Sequence, residues 1–236
     1  LYVAGKLGVS GATNAIVEYI GPGTETISAT GKATITNMGA ELGATTSMFP
    51  YDDRMAKYLR ATHREELVPI IAQSRDLLTP DSEVLSDPGV HYDQVIELDL
   101  TTLEPYVVGP HSPDRARPIS SLAEEIVDPA NGFVEDISVA LMGSCTNSSY
   151  EDMSRAADIA DQAKARGLTT SVPFLVTPGS EQVRATIERD GQMASLTDFN
   201  GTVLANACGP CIGQWKRAKA MAGVPNTIVT SYNRNF

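Results

Sequence analysis

From Ile137 onward, apolar and polar positions fall into alternating strand-like and helix-like runs. Ile137-Ser138-Val139-Ala140-Leu141-Met142 is a short apolar run that reads as a buried strand. Met153, Ala156, Ala157, Ala160 and Ala163 then recur at helical spacing and predict a helix from about Tyr150 to Ala165. Ser148 or Ser149 can cap it, and Ser148 with Glu151 has the spacing of a capping box. A strand ending near Val176 follows, then a helix opening around Ser180 with Val183 and Ile187 on one face, and strands at Thr202–Ala205 and Thr227–Thr230. Such alternation predicts an α/β fold in which helices cover a largely parallel sheet.

The first half has a weaker pattern. Residues 11–43 are rich in glycine and threonine, which predicts strands and turns with a helix near Ala12 to Tyr19. Asp52–Leu59 and Glu65–Leu77 read as helices, Thr79–Ser82 and Asp87–Gly89 as loops, and Val95–Leu100 alternates like a strand. Gly109 to Pro118 is the most linker-like stretch. It sets a boundary near Pro105, with domains at 1–104 and 105–236. There is no internal repeat, no low-complexity tract and no Gly-x-Gly-x-x-Gly fingerprint after a strand.

Composition narrows the function. The 236 residues are 42% hydrophobic and 20% charged, ordinary for a globular chain long enough to bury a sizeable core. A net charge of -11 argues against general binding to nucleic acid or an anionic membrane, since both rely on basic surface. No apolar run approaches the roughly 20 residues of a bilayer-spanning helix. Three cysteines, an odd and small number, do not suit a secreted disulfide framework.

Those cysteines are the main chemical candidates. Cys145 lies in Gly-Ser-Cys-Thr-Asn, and Cys208 and Cys211 lie in Ala-Cys-Gly-Pro-Cys-Ile-Gly. A C-x-x-C pair alone allows a disulfide, a redox site or half a zinc site. Together the three read as ligands of one metal centre, because Gly143, Ser144, Gly209 and Pro210 leave room around the sulfurs. A 4Fe-4S cluster takes one thiolate per iron, so three thiolates would leave one iron open. Cys145, Thr177 to Ser180, the Cys208–Cys211 pair, and Asn233 with Arg234 each fall just past the carboxyl end of a predicted strand, the edge where open α/β sheets bind ligands. Thr177-Pro178-Gly179-Ser180 taken alone reads as a turn with a helix cap. Asn37 and Glu41, four residues apart, would share a helix face, and by sequence alone that is a solvated polar face. His63, His91 and His111 receive no catalytic role.

The runs Gly143–Met153, Thr177–Gln182, Ala205–Trp215 and Ser231–Phe236, with Ile16–Tyr19, Gly21–Gly23 and Asn37–Ser47 upstream, closely resemble the aconitase family in its mitochondrial type. The resemblance covers the chain almost end to end, including the gap of 63 residues (208 minus 145) between the first and second cysteine. It implies two three-layer α/β/α units with largely parallel sheets, the middle part of the family's iron-sulfur region. Residues 1–104 correspond to its second domain, and 105–236 to a third, cluster-binding domain truncated at its C-terminus. The implied activity is aconitate hydratase, which interconverts citrate and isocitrate through cis-aconitate at the open iron of a 4Fe-4S cluster.

By the same resemblance, Cys145, Cys208 and Cys211 hold the cluster, and Arg234 pairs with a substrate carboxylate. Asn233 bonds a cluster sulfur or a ligand, and Asn37 and Glu41 line the site, Glu41 hydrogen-bonding a hydroxyl or water at the open iron. An anionic substrate meeting an acidic chain needs such a local cation. The family's further N- and C-terminal domains, among them the catalytic base, would lie outside this chain, leaving the 236 residues inactive alone. The location implied is the mitochondrial matrix in a eukaryote and the cytoplasm in a prokaryote. Alternatives are a sister hydro-lyase acting on 3-isopropylmalate, homoaconitate or methylcitrate, a structural zinc site, and an RNA-binding module.

Overall fold

The computed structural model describes residues 1–215 and 223–232. The chain divides into two units, one formed by Leu7–Pro105 and one by Tyr106–Phe236 together with Leu1–Lys6. The opening helix α1 (Tyr2–Leu7) joins the later unit because Tyr2 packs edge-on against Tyr106, with centroids 5.7 Å apart.

In the Leu7–Pro105 unit, β1 (Ile16–Glu18), α2 (Ala29–Asn37) and β2 (Thr46–Met48) follow one another, and β1 pairs with β2 in parallel, Ile16 opposite Thr46. The helix expected near Ala12 to Tyr19 is therefore a turn and a strand. Asn14 takes a left-handed φ of 63°, which ends any helical run, and β-branched Ile16 and Val17 favour the extended chain that follows. Ser28 caps α2 by accepting from the Gly31 N–H at 3.1 Å. The chain then tightens into a 3-10 turn, Met38–Leu42, and Gly43 closes it in a left-handed conformation.

Helix α3 (Asp53–Ala61) starts at Asp52, whose carboxylate accepts from the Met55 N–H at 3.0 Å. The same carboxylate pairs with Lys32 of α2, and both residues are buried. Lys32 also stands 5.8 Å from the centroid of Phe49, which stacks on Tyr19. Next come α4 (Leu67–Gln73), a 3-10 turn at Arg75–Leu77, α5 (Ser82–Ser86) and α6 (Pro88–His91), so the helix expected over Glu65–Leu77 is broken at Ser74. Val95–Leu100 is not a strand: among the described residues it pairs with no other strand, and most of it is exposed. Alternation without a partner strand leaves the backbone to solvent.

In the other unit, β3 (Tyr106–Val108) and β4 (Ala116–Pro118) form an antiparallel pair, so the linker-like Gly109–Pro118 stretch is a hairpin. Buried Arg117 holds it by donating to Glu125 Oε2 at 2.6 Å and to the Gly109 carbonyl, Glu125 lying on α7 (Leu122–Ile126). The chain then runs through β5 (Ile137–Gly143), α8 (Tyr150–Ala165), β6 (Phe174–Thr177), α9 (Glu181–Asp190), α10 (Gln192–Asp198), β7 (Gly201–Val203) and β8 (Thr227–Thr230). The four strands make one parallel sheet in the order β7-β6-β5-β8. The chain is thus mixed α/β with a parallel sheet.

Met153, Ala157 and Ala160 of α8, Val176 of β6, Ile187 of α9 and Leu196 of α10 form the core on that sheet. The small residues of α8 let the helices approach closely, and Met153, Val176, Ile187 and Leu196 exclude solvent completely. Among the described residues no helix is long and apolar enough to cross a membrane.

Candidate functional site

The ends of β5, β6 and β8, with the segment after β7, set the geometry. In a parallel sheet these carboxyl ends face one way, so residues far apart in sequence share an edge. β5 ends at Gly143, paired with Thr177, the last residue of β6. The approach is close: a Cβ on Gly143 would lie 2.0 Å from the Thr177 carbonyl oxygen, and Gly143 has a φ of 91°. Only glycine meets both conditions.

Cys145 follows in a tight loop tied by its own hydroxyls. Buried Ser148 bonds the Ser144 carbonyl, the Thr146 N–H donates to Ser144 Oγ at 3.1 Å, and the Cys145 thiol stands 3.6 Å from Thr146 Oγ1. The helix after the loop is capped by Ser149 with Asp152, each side chain bonding the other's backbone N–H. The expected pairing of Ser148 with Glu151 is therefore one residue out of register, because Ser148 is committed to the cysteine loop. Ser180 caps α9 through the Val183 N–H.

After β7 the chain turns through Asn206 to exposed Cys208 and buried Cys211, and a 3-10 turn covers Pro210–Ile212. The Asn206 Nδ2 donates to Glu181 Oε2 at 2.7 Å, fastening this loop to the start of α9. The carboxyl of Glu181 is held below its usual range by its bonds with Arg184, and Asn206 adds to the effect.

The three cysteines are free, and their sulfurs gather around Cys208. Its thiol is pushed up first by the negative charge of Cys145, then by that of Cys211, with desolvation and hydrogen bonds to both adding to it. Deprotonating all three together would need a cation beside them, which a metal centre supplies. Among the described residues no three His, Cys, Asp or Glu side chains are spaced to share a single ion. A cluster takes one thiolate per iron, and three free cysteines at one edge offer that kind of donor set. Thr177 Oγ1 and Asn206 Oδ1 are buried at the same edge with no hydrogen-bond partner among the described residues. Such atoms mark places where a bound group completes the bonding. The residues present fit a cluster.

Asn37 and Glu41 lie in the Leu7–Pro105 unit. Asn37 ends α2 exposed, and half-buried Glu41 lies in the 3-10 turn that follows, so the two do not share a single α-helical face. Gly39 between them lets this turn approach β2, since a Cβ there would meet Ser47 Oγ at 2.3 Å. Asn233 and Arg234 lie outside the described residues. Asn147 and Ser231, to which sequence reasoning assigned no role, make side-chain bonds across the sheet edge. Their positions just after the ends of β5 and β8 were the only available signal.

Fold and edge together define a mixed α/β protein with three thiols at the carboxyl end of a parallel sheet. The family model described as the aconitase family (aconitate hydratase) matches residues 1–236, so the chain belongs to the aconitase family. It is 56% identical, over all of its length, to the mitochondrial aconitate hydratase of Emericella nidulans. It is 58% identical to the probable mitochondrial aconitate hydratase of Caenorhabditis elegans and 54% to the mitochondrial enzyme of Saccharomyces cerevisiae, again over all of this chain. The chain spans 29% of the length of each of these relatives.

Proposed function

We propose that this chain is the cluster-carrying part of an aconitate hydratase, interconverting citrate and isocitrate through cis-aconitate, and that it works in mitochondria as its relatives' names state of them. The gathering of Cys145, Cys208 and Cys211 at one sheet edge carries the reading. Residues 105–236 would be the cluster-binding domain and 1–104 a neighbouring α/β domain.

Cys145, Cys208 and Cys211 would each hold one iron of a 4Fe-4S cluster. When bound, the cluster supplies a Lewis-acidic iron that polarises a C–O bond with no change of redox state. Arg234 would orient the substrate by a paired hydrogen bond to a carboxylate, which its planar guanidinium suits. Asn233 would bond a cluster sulfur or a ligand, an outer contact of the kind that tunes a metal site, and Asn37 would line the site. Glu41 would hold a proton at the substrate hydroxyl. The base that removes the proton from the adjacent carbon is assigned to a part of the protein outside these residues, and aligned base catalysis is worth about 10²- to 10⁴-fold. The chain alone should accordingly hold a cluster and bind citrate without appreciable turnover.

Anaerobic reconstitution with iron and sulfide, followed by metal analysis and absorbance, tests the reading. Iron and sulfide should be bound, and Cys145→Ser should abolish the complete cluster. Zinc in place of iron, or a complete cluster in Cys145→Ser with Cys208 and Cys211 intact, would overturn it.

A further inference from the structure

β8 pairs with β5 up to Thr230 opposite Leu141, and the residue after that rung does what the ladder no longer can. The Ser231 N–H donates to the Leu141 carbonyl at 3.1 Å. The buried Gly143 N–H, two residues further along β5, donates to Ser231 Oγ at 2.8 Å. The Ser231 carbonyl in turn accepts from Asn147 Nδ2 at 2.5 Å. One serine thus joins the end of β5 to the loop that carries Cys145, and Asn233 and Arg234 stand two and three residues after it in sequence. Asn147 reaches it from a left-handed φ of 60°, a conformation asparagine tolerates better than most residues.

We propose that Ser231 and Asn147 are positioning residues that tie the Cys145 loop to the end of β8, so that order gained at either one is passed to the other, a filled thiol site steadying the end of β8. The second half rests on the function proposed above. Such coupling is reciprocal by thermodynamic necessity, and its carrier here is a pair of side-chain hydrogen bonds rather than shared packing. Gly143 is buried while Ser231 is exposed, so the Gly143 N–H keeps this protein partner only while Ser231 stays in place.

Two variants and a restoring control separate this tie from general stability. Asn147→Gly keeps the left-handed backbone accessible and removes the side-chain donor. Ser231→Ala removes the acceptor of Gly143, and Ser231→Thr restores it. Hydrogen exchange of the cluster-free 236-residue chain is read on residues 143–149 and 227–232, with 174–190 as the internal reference. Asn147→Gly should speed exchange in 227–232 about two- to tenfold, the worth of one ordinary hydrogen bond. Ser231→Ala should speed it in 143–149 about five- to a hundredfold, the range for an orphaned buried donor. Ser231→Thr should match the parent, and the reference peptide should not change.

With the cluster reconstituted and reduced by one electron with dithionite, citrate should alter the electron paramagnetic resonance spectrum of the parent, and Asn147→Gly should diminish that response at unchanged iron content. Equal exchange in the distant segment of both variants, with the reference intact, overturns the tie whatever citrate does. Exchange coupled as expected but a parent spectrum indifferent to citrate leaves the tie standing and removes the substrate assignment. If Ser231→Ala loosens the reference peptide as well, Asn147→Gly alone decides.

Discussion

Lys32 and Asp52 make the most quantitative test of how the Leu7–Pro105 unit is held. Their side chains are only 3% and 11% exposed, and the pair joins α2, which leads into the turn with Glu41, to the cap of α3. Lys32→Met removes the ammonium and leaves a buried carboxylate facing an apolar thioether. Losing one partner of a buried pair costs about 3–5 kcal/mol, and the lost attraction to the Phe49 ring adds about 0.5 kcal/mol or more. Asp52→Asn still caps α3, since asparagine is as good an N-cap as aspartate, so its cost is the stranded Lys32 charge, again about 3 kcal/mol.

The double variant strands neither charge and should be less destabilised than the sum of the singles by about 2 kcal/mol or more. Urea unfolding followed by circular dichroism gives the three differences as midpoint shifts at constant slope. Against a typical total of about 5–15 kcal/mol, each single loss would be conspicuous. If Lys32→Met costs under about 1 kcal/mol, or the two singles add without coupling, water screens the pair and the reasoning fails.

Tyr92 donates to Glu18 Oε2 at 2.6 Å, and burial, that bond and the charge of Glu18 push its phenol up to about 12. A folded pKa above the ordinary value of 10 contributes stability that is fully present below pH 10 and is lost as pH rises through about 12, so stability should fall over that window and Tyr92→Phe should flatten the fall in urea melts run at several pH values. Gly143→Ala forces a Cβ to within 2.0 Å of the Thr177 carbonyl at a positive φ; about 1–2 kcal/mol of backbone strain and about 1–3 kcal/mol of overpacking should lower the urea midpoint and impair cluster uptake, and wild-type values of both would refute the close approach. Arg234→Lys keeps the charge but loses the planar fork, so half-maximal perturbation of the reconstituted cluster should need several times more citrate while the citrate-free absorbance is unchanged; an unaltered titration would remove Arg234 from the substrate site.

What was legible in the residues was local. The α8 helix was readable because Met153, Ala157 and Ala160 repeat with the helical period, and β8 because Thr227–Thr230 is a short extended run whose register its neighbours do not alter. The three cysteines could be singled out because their chemistry is rare and their neighbours small. Where an element depended on a partner, sequence reasoning went astray. Val95–Leu100 alternates but has no strand to pair with, Ile16–Glu18 is a strand because Thr46–Met48 lies beside it, and Gly109–Pro118 is a hairpin because Arg117 is buried against Glu125.

Of the two serines able to cap α8, Ser149 does so for the same reason, since Ser148 is spent inside the cysteine loop. The pairing of Lys32 with Asp52, the gathering of three thiols and the bonds of Ser231 span 20, 66 (211 minus 145) and up to 88 residues of chain. Periodicity and propensity act over a turn or a strand, so the chain by itself determined its segments and the kind of chemistry it could hold. Which atoms meet at the site was decided only when the sheet brought the ends of β5, β6 and β8 to one edge, because pairing of strands sets partners that lie far apart in the chain.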